Sequence, residues 1–343
     1  MSDQPAALVD RFGRVATDLR VSLTDRCSLR CAYCMPPEGL PWLPSAELLT
    51  DDELVRLVGI AVSLGVREVR LTGGEPLVRP DVPRLVARIA GLRPRPELSI
   101  TTNGILLGRD AAALAAAGLD RVNVSLDTLD PDRFKRITHR DRHAQVLAGM
   151  AAARAAGLEP VKVNAVLLRG VNDDEAPALL GWALAAGYQL RFIEQMPLDA
   201  QHAWDRAAMV TADEVLASLR AGYELAPVAE PDRGSAPAET WRVLDGPERD
   251  CWAVAAPRVG IVGSVTRPFC AACDRLRLTA DGQLRNCLFA TEESDLRAAL
   301  RAGADDAELA RRFVASVAGK RAGHGIDDPG FLQPARPMSA IGG

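Results

Sequence analysis

The sequence predicts an α/β fold: a partial, six-unit parallel β/α barrel followed by a smaller C-terminal α+β domain. Six apolar, β-branched runs alternate with helical stretches (Leu19–Leu23, Val66–Leu71, Leu98–Thr101, Arg121–Leu126, Val161–Leu168 and Gln189–Ile193). That order argues a parallel sheet with its helices outside. Six units fall short of the eight that close a standard barrel, so the sheet is expected to stay open, with a flat doubly wound sheet as the alternative. The residues with chemistry to offer fall where these strands end, the usual place for a site in such folds. Past Pro197 the alternation stops, which divides the chain into 11–200 and 201–343.

Taken in order, the first strand runs into Cys27-Ser-Leu-Arg-Cys31-Ala-Tyr-Cys34. Thr50-Asp-Asp-Glu53 is a capping box opening a helix that Gly65 ends. Thr72-Gly-Gly-Glu-Pro76 follows strand two, and its paired glycines let the backbone come close to a ligand. Thr101-Thr-Asn-Gly104 follows strand three, and the alanine-rich helix Asp110–Ala117 stops at Gly118. Ser125-Leu-Asp127 ends strand four, and a helix Ala144–Ala156 precedes Gly157. Lys162-Val-Asn164 lies in strand five, a helix Asp174–Ala186 stops at Gly187, and Glu194-Gln-Met-Pro197 follows strand six. Gln201–Ala208 is a polar connection, Thr211-Ala-Asp-Glu214 caps another helix, and Ala226–Ala238 reads as an exposed loop. Short strands are expected at Trp241–Leu244, Cys251–Ala255 and Arg258–Val262. Asp281-Gly282 between Arg275–Thr279 and Gln283–Cys287 signals a hairpin. Helices near Asp295–Arg301 and Asp306–Ala318 precede a tail rich in Gly and Pro.

The 343 residues carry a formal net charge of −4 with both signs interspersed, which excludes a bulk nucleic-acid binder. No apolar run approaches the ~20 residues of a membrane span. Met1-Ser-Asp-Gln-Pro5 lacks a basic region followed by an apolar one, so no secretory signal is read and the cytoplasm is expected. In that compartment seven cysteines mean metal or redox chemistry rather than disulfides. They divide into two triplets and a spare, Cys251, expected to be a buried structural thiol.

On a helix, Cys27, Cys31 and Cys34 would form a stripe about 10 Å long, too stretched to grip one compact centre. The flanking strand and Pro36-Pro37 argue for a loop instead. Three thiolates leave an iron–sulfur cube one ligand short, so one iron keeps a position open to a small molecule. Zinc is the rival, and structural zinc closes with four ligands. Cys270-Ala-Ala-Cys273 is joined by Cys287, which the hairpin returns to its side. The count is again three, with Asp274 as the fourth ligand if the metal is zinc. His139 and His143 have ligand-like spacing, but the polar segment between them speaks against a metal site. Arg20, Arg70, Arg191, Arg275 and Arg277, with Lys162, sit on strands. Several inward cations are costly without an anion, and together they suit a phosphate chain.

These motifs together resemble the MoaA family of GTP 3′,8-cyclases, radical S-adenosylmethionine (SAM) enzymes of molybdenum-cofactor biosynthesis. The likeness covers Arg20–Pro36, Arg70–Leu77, Thr101–Gly104, Asn123–Asp127, Lys162–Asn164, Arg191–Pro197, the second cysteine group with Arg275-Leu-Arg277, and the Gly342-Gly343 end. Ser28 departs from the family's usual Asn. The resemblance implies a partial barrel of radical SAM type and two [4Fe–4S] clusters, one on Cys27, Cys31 and Cys34, the other on Cys270, Cys273 and Cys287. It implies SAM against Tyr33, Gly74, Ser125 and Met196, and GTP against Arg20, Arg70, Thr101, Lys162, Arg275, Leu276 and Arg277. The implied reaction cleaves SAM to a 5′-deoxyadenosyl radical, which takes the ribose C3′ hydrogen of GTP. Closure on guanine C8 then gives 3′,8-cyclo-7,8-dihydro-GTP. No acid–base residue is assigned. The implied partners are an electron donor, the cyclic pyranopterin monophosphate synthase that consumes the product, and a second copy of the chain. A peptide-modifying radical SAM enzyme and a zinc-stapled nucleotide-binding protein are the alternatives.

Overall fold

The computed structural model describes residues 7–229, 235–253 and 257–342. One twelve-stranded sheet organises it. Its first six strands are β1 (Asp18–Ser22), β2 (Glu68–Thr72), β3 (Glu97–Thr102), β4 (Arg121–Ser125), β5 (Lys162–Val166) and β6 (Gln189–Ile193). They pair in sequence order and are all parallel, as the alternation of strand and helix requires. The C-terminal part does not stand apart from them. Its strands β7 (Glu224–Pro227), β8 (Glu239–Asp245) and β9 (Arg258–Val262) extend the sheet beyond β6, with β9 parallel to β6. Strands β10 (Arg275–Leu278), β11 (Gln283–Arg285) and β12 (Ser294–Asp295) extend it beyond β1, with β10 parallel to β1.

Helices α1 (Asp51–Ser63), α2 (Val82–Ala90), α3 (Leu107–Ala116), α4 (Pro131–Thr138), α5 (His143–Ala155) and α6 (Ala176–Ala186) connect the strands of the parallel array. Helix α7 is Ala212–Arg220, α8 Leu296–Arg301, α9 Asp306–Ala318 and α10 Met338–Ile341. Both expected capping boxes form, Thr50 with Glu53 and Thr211 with Glu214. Each ties two otherwise unpaired first-turn donors. Among the described residues no helix is long and apolar enough to cross a membrane.

Alternation along the strands sorts side chains between two faces. Leu19, Val69, Ile100, Val124, Val163, Phe192 and Leu276 are buried in one apolar core. Their strand neighbours Arg20, Arg70, Thr101, Ser125, Asn164, Arg191, Arg275 and Arg277 line a cavity on the opposite face. The sheet thus spends one face on stability and the other on a site.

Some expected elements differ. Of the loop expected at 226–238, residues 226 and 227 belong to β7 and pair with β8, while 230–234 lie outside the described residues. Instead of a strand at 251–255, residues Arg249–Cys251 form a 3₁₀ turn, and 254–256 lie outside the described residues. Cys251 is exposed, not a buried thiol, because that turn projects it outward. His139 is an exposed helix cap, whereas His143 is buried with a ring nitrogen 3.2 Å from the Thr128 carbonyl. The pair therefore shares no ligand.

Candidate active site

In-register pairing builds the floor of the cavity. Arg20 on β1 stands opposite Arg70 on one side and Arg277 on the other, and Asp18 opposite Arg275. Three guanidinium groups thus lie in one row across neighbouring strands. A second row sets Ser125 opposite Asn164 and Asn164 opposite Arg191. Arg191 donates to Asn123 Oδ1 at 2.7 Å, and its Nε is buried without a partner. The Nε of Arg20 and Oδ1 of Asn164 are likewise buried without a hydrogen-bond partner. Asp18 stands among these cations, 3.9 Å from Arg20 and 3.8 Å from Arg275.

Crowding of like charge shows in the proton affinities. Burial, then Arg70, Arg121 and Arg275, pushes Arg191 down to about 9. Burial and then Arg275 pushes Arg277 down to about 10. Arg20 lies well below its usual value, by burial and then Arg70 and Arg277. Lys162 drops to about 8, by burial and then Arg191, Arg121 and Arg70. Guanidinium groups stay protonated in proteins, so the cavity is a strongly positive pocket that an anion would relieve.

One cysteine group lines this pocket, and the loop that carries the other reaches it. Cys270, Cys273 and Cys287 are in its wall. The loop Cys27–Cys34 reaches it through Tyr33, whose hydroxyl donates to Asp127 Oδ2 at 2.8 Å. Asp127 Oδ1 accepts from the Val166 amide at 2.9 Å, and burial holds this carboxyl up at about 6 against both hydrogen bonds. Burial, joined by Glu75, raises the thiol of Cys27 to about 11, and burial, joined by Cys27 and Asp199, raises that of Cys34 to about 12. Cys31 is raised further by burial, Asp127 and its two partner cysteines. A metal centre would have to displace these protons on binding. Cys273 behaves differently: burial pushes it up, but Arg275 and Lys320 outweigh that and lower it. The Lys320 ammonium donates to the Cys273 sulfur at 3.4 Å and to the carbonyls of Cys273 and Arg275.

Each triad offers three sulfurs, the number a cube with one open iron takes. Among the described residues no three Cys, His, Asp or Glu side chains close on one metal ion. Zinc held by thiolates at about 2.3 Å would need such closure, whereas a cube takes one sulfur per iron. Asp274, the presumed fourth zinc ligand, instead accepts from Thr17 Oγ1 at 2.8 Å.

The expected SAM residues Tyr33, Ser125 and Met196 line the cavity. Gly74 does not. It packs under the first cysteine loop, where a Cβ would lie 2.4 Å from the carbonyls of Asp25 and Arg26. Only glycine lets the two turns approach so closely. Of the expected nucleotide residues, Arg20, Arg70, Thr101, Arg275 and Arg277 line the cavity. Leu276 points into the apolar core, because strand alternation turns it away from its arginine neighbours. Lys162 lies on the same face as Asn164 but outside the lining residues.

The chain end also enters. Ile341 is fully buried, the Ser22 hydroxyl donates to its carbonyl at 3.0 Å, and Arg277 Nη1 donates to the Gly342 carbonyl. Gly343 lies outside the described residues. Asp127 joins the site through a period-two offset from Ser125 that the sequence displays. Phe289, His324 and Met338 also line it, and no local pattern announced them.

Comparison with known proteins agrees with this construction. Residues 21–183 match the model of the radical SAM superfamily, and 188–326 that of Molybdenum Cofactor Synthesis C. The chain is 66% identical over 337 residues to a GTP 3′,8-cyclase of Streptomyces coelicolor, covering 98% of this chain and 96% of the relative. It is 59% identical to a GTP 3′,8-cyclase 2 of Mycobacterium tuberculosis strain H37Rv, covering 98% and 92%. Streptococcus suis SuiB, solved with its precursor peptide SuiA, shares the fold at TM-score 0.59 and 14% identity, over 91% of this chain and 69% of SuiB. With two halves matching radical SAM and molybdenum-cofactor models and full-length identity near two thirds, the chain belongs to the GTP 3′,8-cyclase family of radical SAM enzymes.

Proposed function

We propose that this enzyme converts GTP to 3′,8-cyclo-7,8-dihydro-GTP, the first step of molybdopterin biosynthesis, with SAM as co-substrate. The observation that carries the reading is one cavity floored by in-register arginines, lined by the second cysteine triad and reached by the first cysteine loop through Tyr33. Cys27, Cys31 and Cys34 would hold the SAM-binding cluster, with Tyr33, Ser125 and Met196 toward SAM and Gly74 supporting the loop. Cys270, Cys273 and Cys287 would hold a second [4Fe–4S] cluster, turned toward the guanine. When bound, the first cluster and SAM supply a carbon radical that removes the C3′ hydrogen. The chain's own part is placement. Arg20, Arg70, Arg275 and Arg277, with Lys162 and Thr101, would hold the triphosphate so that the ribose C3′–H faces the SAM side. Leu276 would serve only through its backbone. The buried walls would keep water from reactive intermediates.

Identity of 59–66% to cyclases, against 14% to the peptide-binding SuiB, favours this reading over peptide modification. The electron donor, hand-off to cyclic pyranopterin monophosphate synthase, homodimer formation and a cytoplasmic setting belong to the same proposal. So does the division of labour between 11–200, which would hold SAM, and 201–343, which would carry the second cluster.

The test is anaerobic incubation of reduced protein with SAM and GTP, followed by product analysis. Arg275→Ala should weaken GTP binding about 10–100-fold, the worth of one charged hydrogen bond, while SAM cleavage persists uncoupled. Normal GTP affinity in that variant would refute the clamp. A pH profile tests Lys162. Its proton affinity near 8 is lowered from the usual lysine value, so it is charged below pH 8 and neutral above. A bound triphosphate favours the charged form. GTP affinity should be flat from about pH 7 to 8 and fall by up to tenfold per unit above, a dependence that Lys162→Met removes. An identical profile in both proteins would exclude Lys162 from the clamp.

A further inference from the structure

The last residues reach the cavity along a path anchored by one ionic fork. Arg336 presents Nη1 and Nη2 to the two carboxylate oxygens of Asp281, at 3.1 and 2.8 Å. Its Nε lies 2.8 Å from Glu293 Oε1. Asp281 forms the tip of the β10–β11 hairpin and is 6% exposed. Its proton affinity is lowered despite burial, with Arg336 the largest lowering influence. Glu293 is shared with Arg285, 2% exposed, which also donates to the carbonyls of Leu288 and Ala290. One network therefore joins the hairpin, the loop after Cys287 and the tail. Six residues beyond Arg336, the Gly342 carbonyl meets Arg277 on the cavity floor.

We propose that Arg336 is the positioning residue of the C-terminal tail: its fork on Asp281 and Glu293 sets where α10 docks, and so where Gly342 meets Arg277. A planar guanidinium on a carboxylate fixes direction as well as distance, which a single hydrogen bond does not. The rival anchor is Ile341, buried against Leu198 and Phe289. Apolar burial holds the tail down without fixing its register.

Hydrogen exchange of the intact, cluster-loaded protein separates the two anchors. The amides of Ala340, Ile341 and Gly342 bond back to Pro337 and Met338 carbonyls within the docked turn. In Arg336→Met they should exchange about tenfold faster or more, with β1–β6 amides unchanged and Arg336→Lys intermediate. Asp281→Asn, which keeps a polar group beside Thr279, should move the same amides and serves if Arg336→Met does not fold. Wild-type protection of those amides in both variants would overturn the proposal in favour of Ile341. The catalytic consequence rests on the reading of the cavity given above, and turnover reports it separately. Faster exchange with undiminished GTP turnover would uphold Arg336 as the tail's anchor while removing Gly342 from the active site.

Discussion

Replacing Cys31 by alanine is expected to bring both SAM cleavage and GTP conversion to the level of a control without enzyme. Cys31 is the middle ligand of the first triad, half-buried, and its thiol interacts with Cys27 and Cys34. Removing it leaves two thiolates for a centre that needs at least three. The readout is 5′-deoxyadenosine and cyclised nucleotide after anaerobic incubation. Cys251→Ala is the internal control, since that thiol is exposed on a 3₁₀ turn and should leave both yields unchanged. Residual SAM cleavage in Cys31→Ala would mean that the first triad is not the site of reductive chemistry.

Gly342→Ala should cost about a hundredfold in turnover without loss of iron or melting temperature. The backbone at Gly342 has φ +86°, a conformation that L side chains rarely adopt. A Cβ there would lie 2.4 Å from Ser22 Oγ and 2.7 Å from Thr72 Cγ2. Strain of about 1–3 kcal/mol plus overpacking of similar size disfavours the docked tail by roughly 3 kcal/mol or more. That energy is local, so the remainder of the chain should melt as before. An alanine variant with wild-type turnover would show that the carbonyl contact to Arg277 plays no part in catalysis.

The parallel array was legible because its signals are local. Strand runs, capping boxes and terminal glycines each sit within a few residues, and β1–β6 lie within a few residues of their expected bounds. The hairpin at Asp281-Gly282 was equally readable. What the sequence did not display is long-range pairing. Nothing near Arg275 says that β10 lies beside β1, yet that pairing puts Arg277 in line with Arg20 and Arg70. Leu276 shows a different limit. A segment that resembles a binding motif still obeys strand alternation, so its middle residue faces the core. Cys251 was misjudged because cysteine's general preference for burial says nothing about one particular turn. Phe289, His324 and Met338 reach the cavity from irregular chain, where no periodicity marks an inward face.

The central claim is that two incomplete thiolate triads each hold an iron–sulfur cube beside one cavity. Iron, acid-labile sulfide and zinc should be measured in anaerobically purified protein and in two triple variants, Cys27/Cys31/Cys34→Ala and Cys270/Cys273/Cys287→Ala. The account predicts about eight irons per chain in the parent, about four in each variant, and no stoichiometric zinc. Zinc at one per chain, or a triple variant that keeps all of the parent's iron, would contradict it.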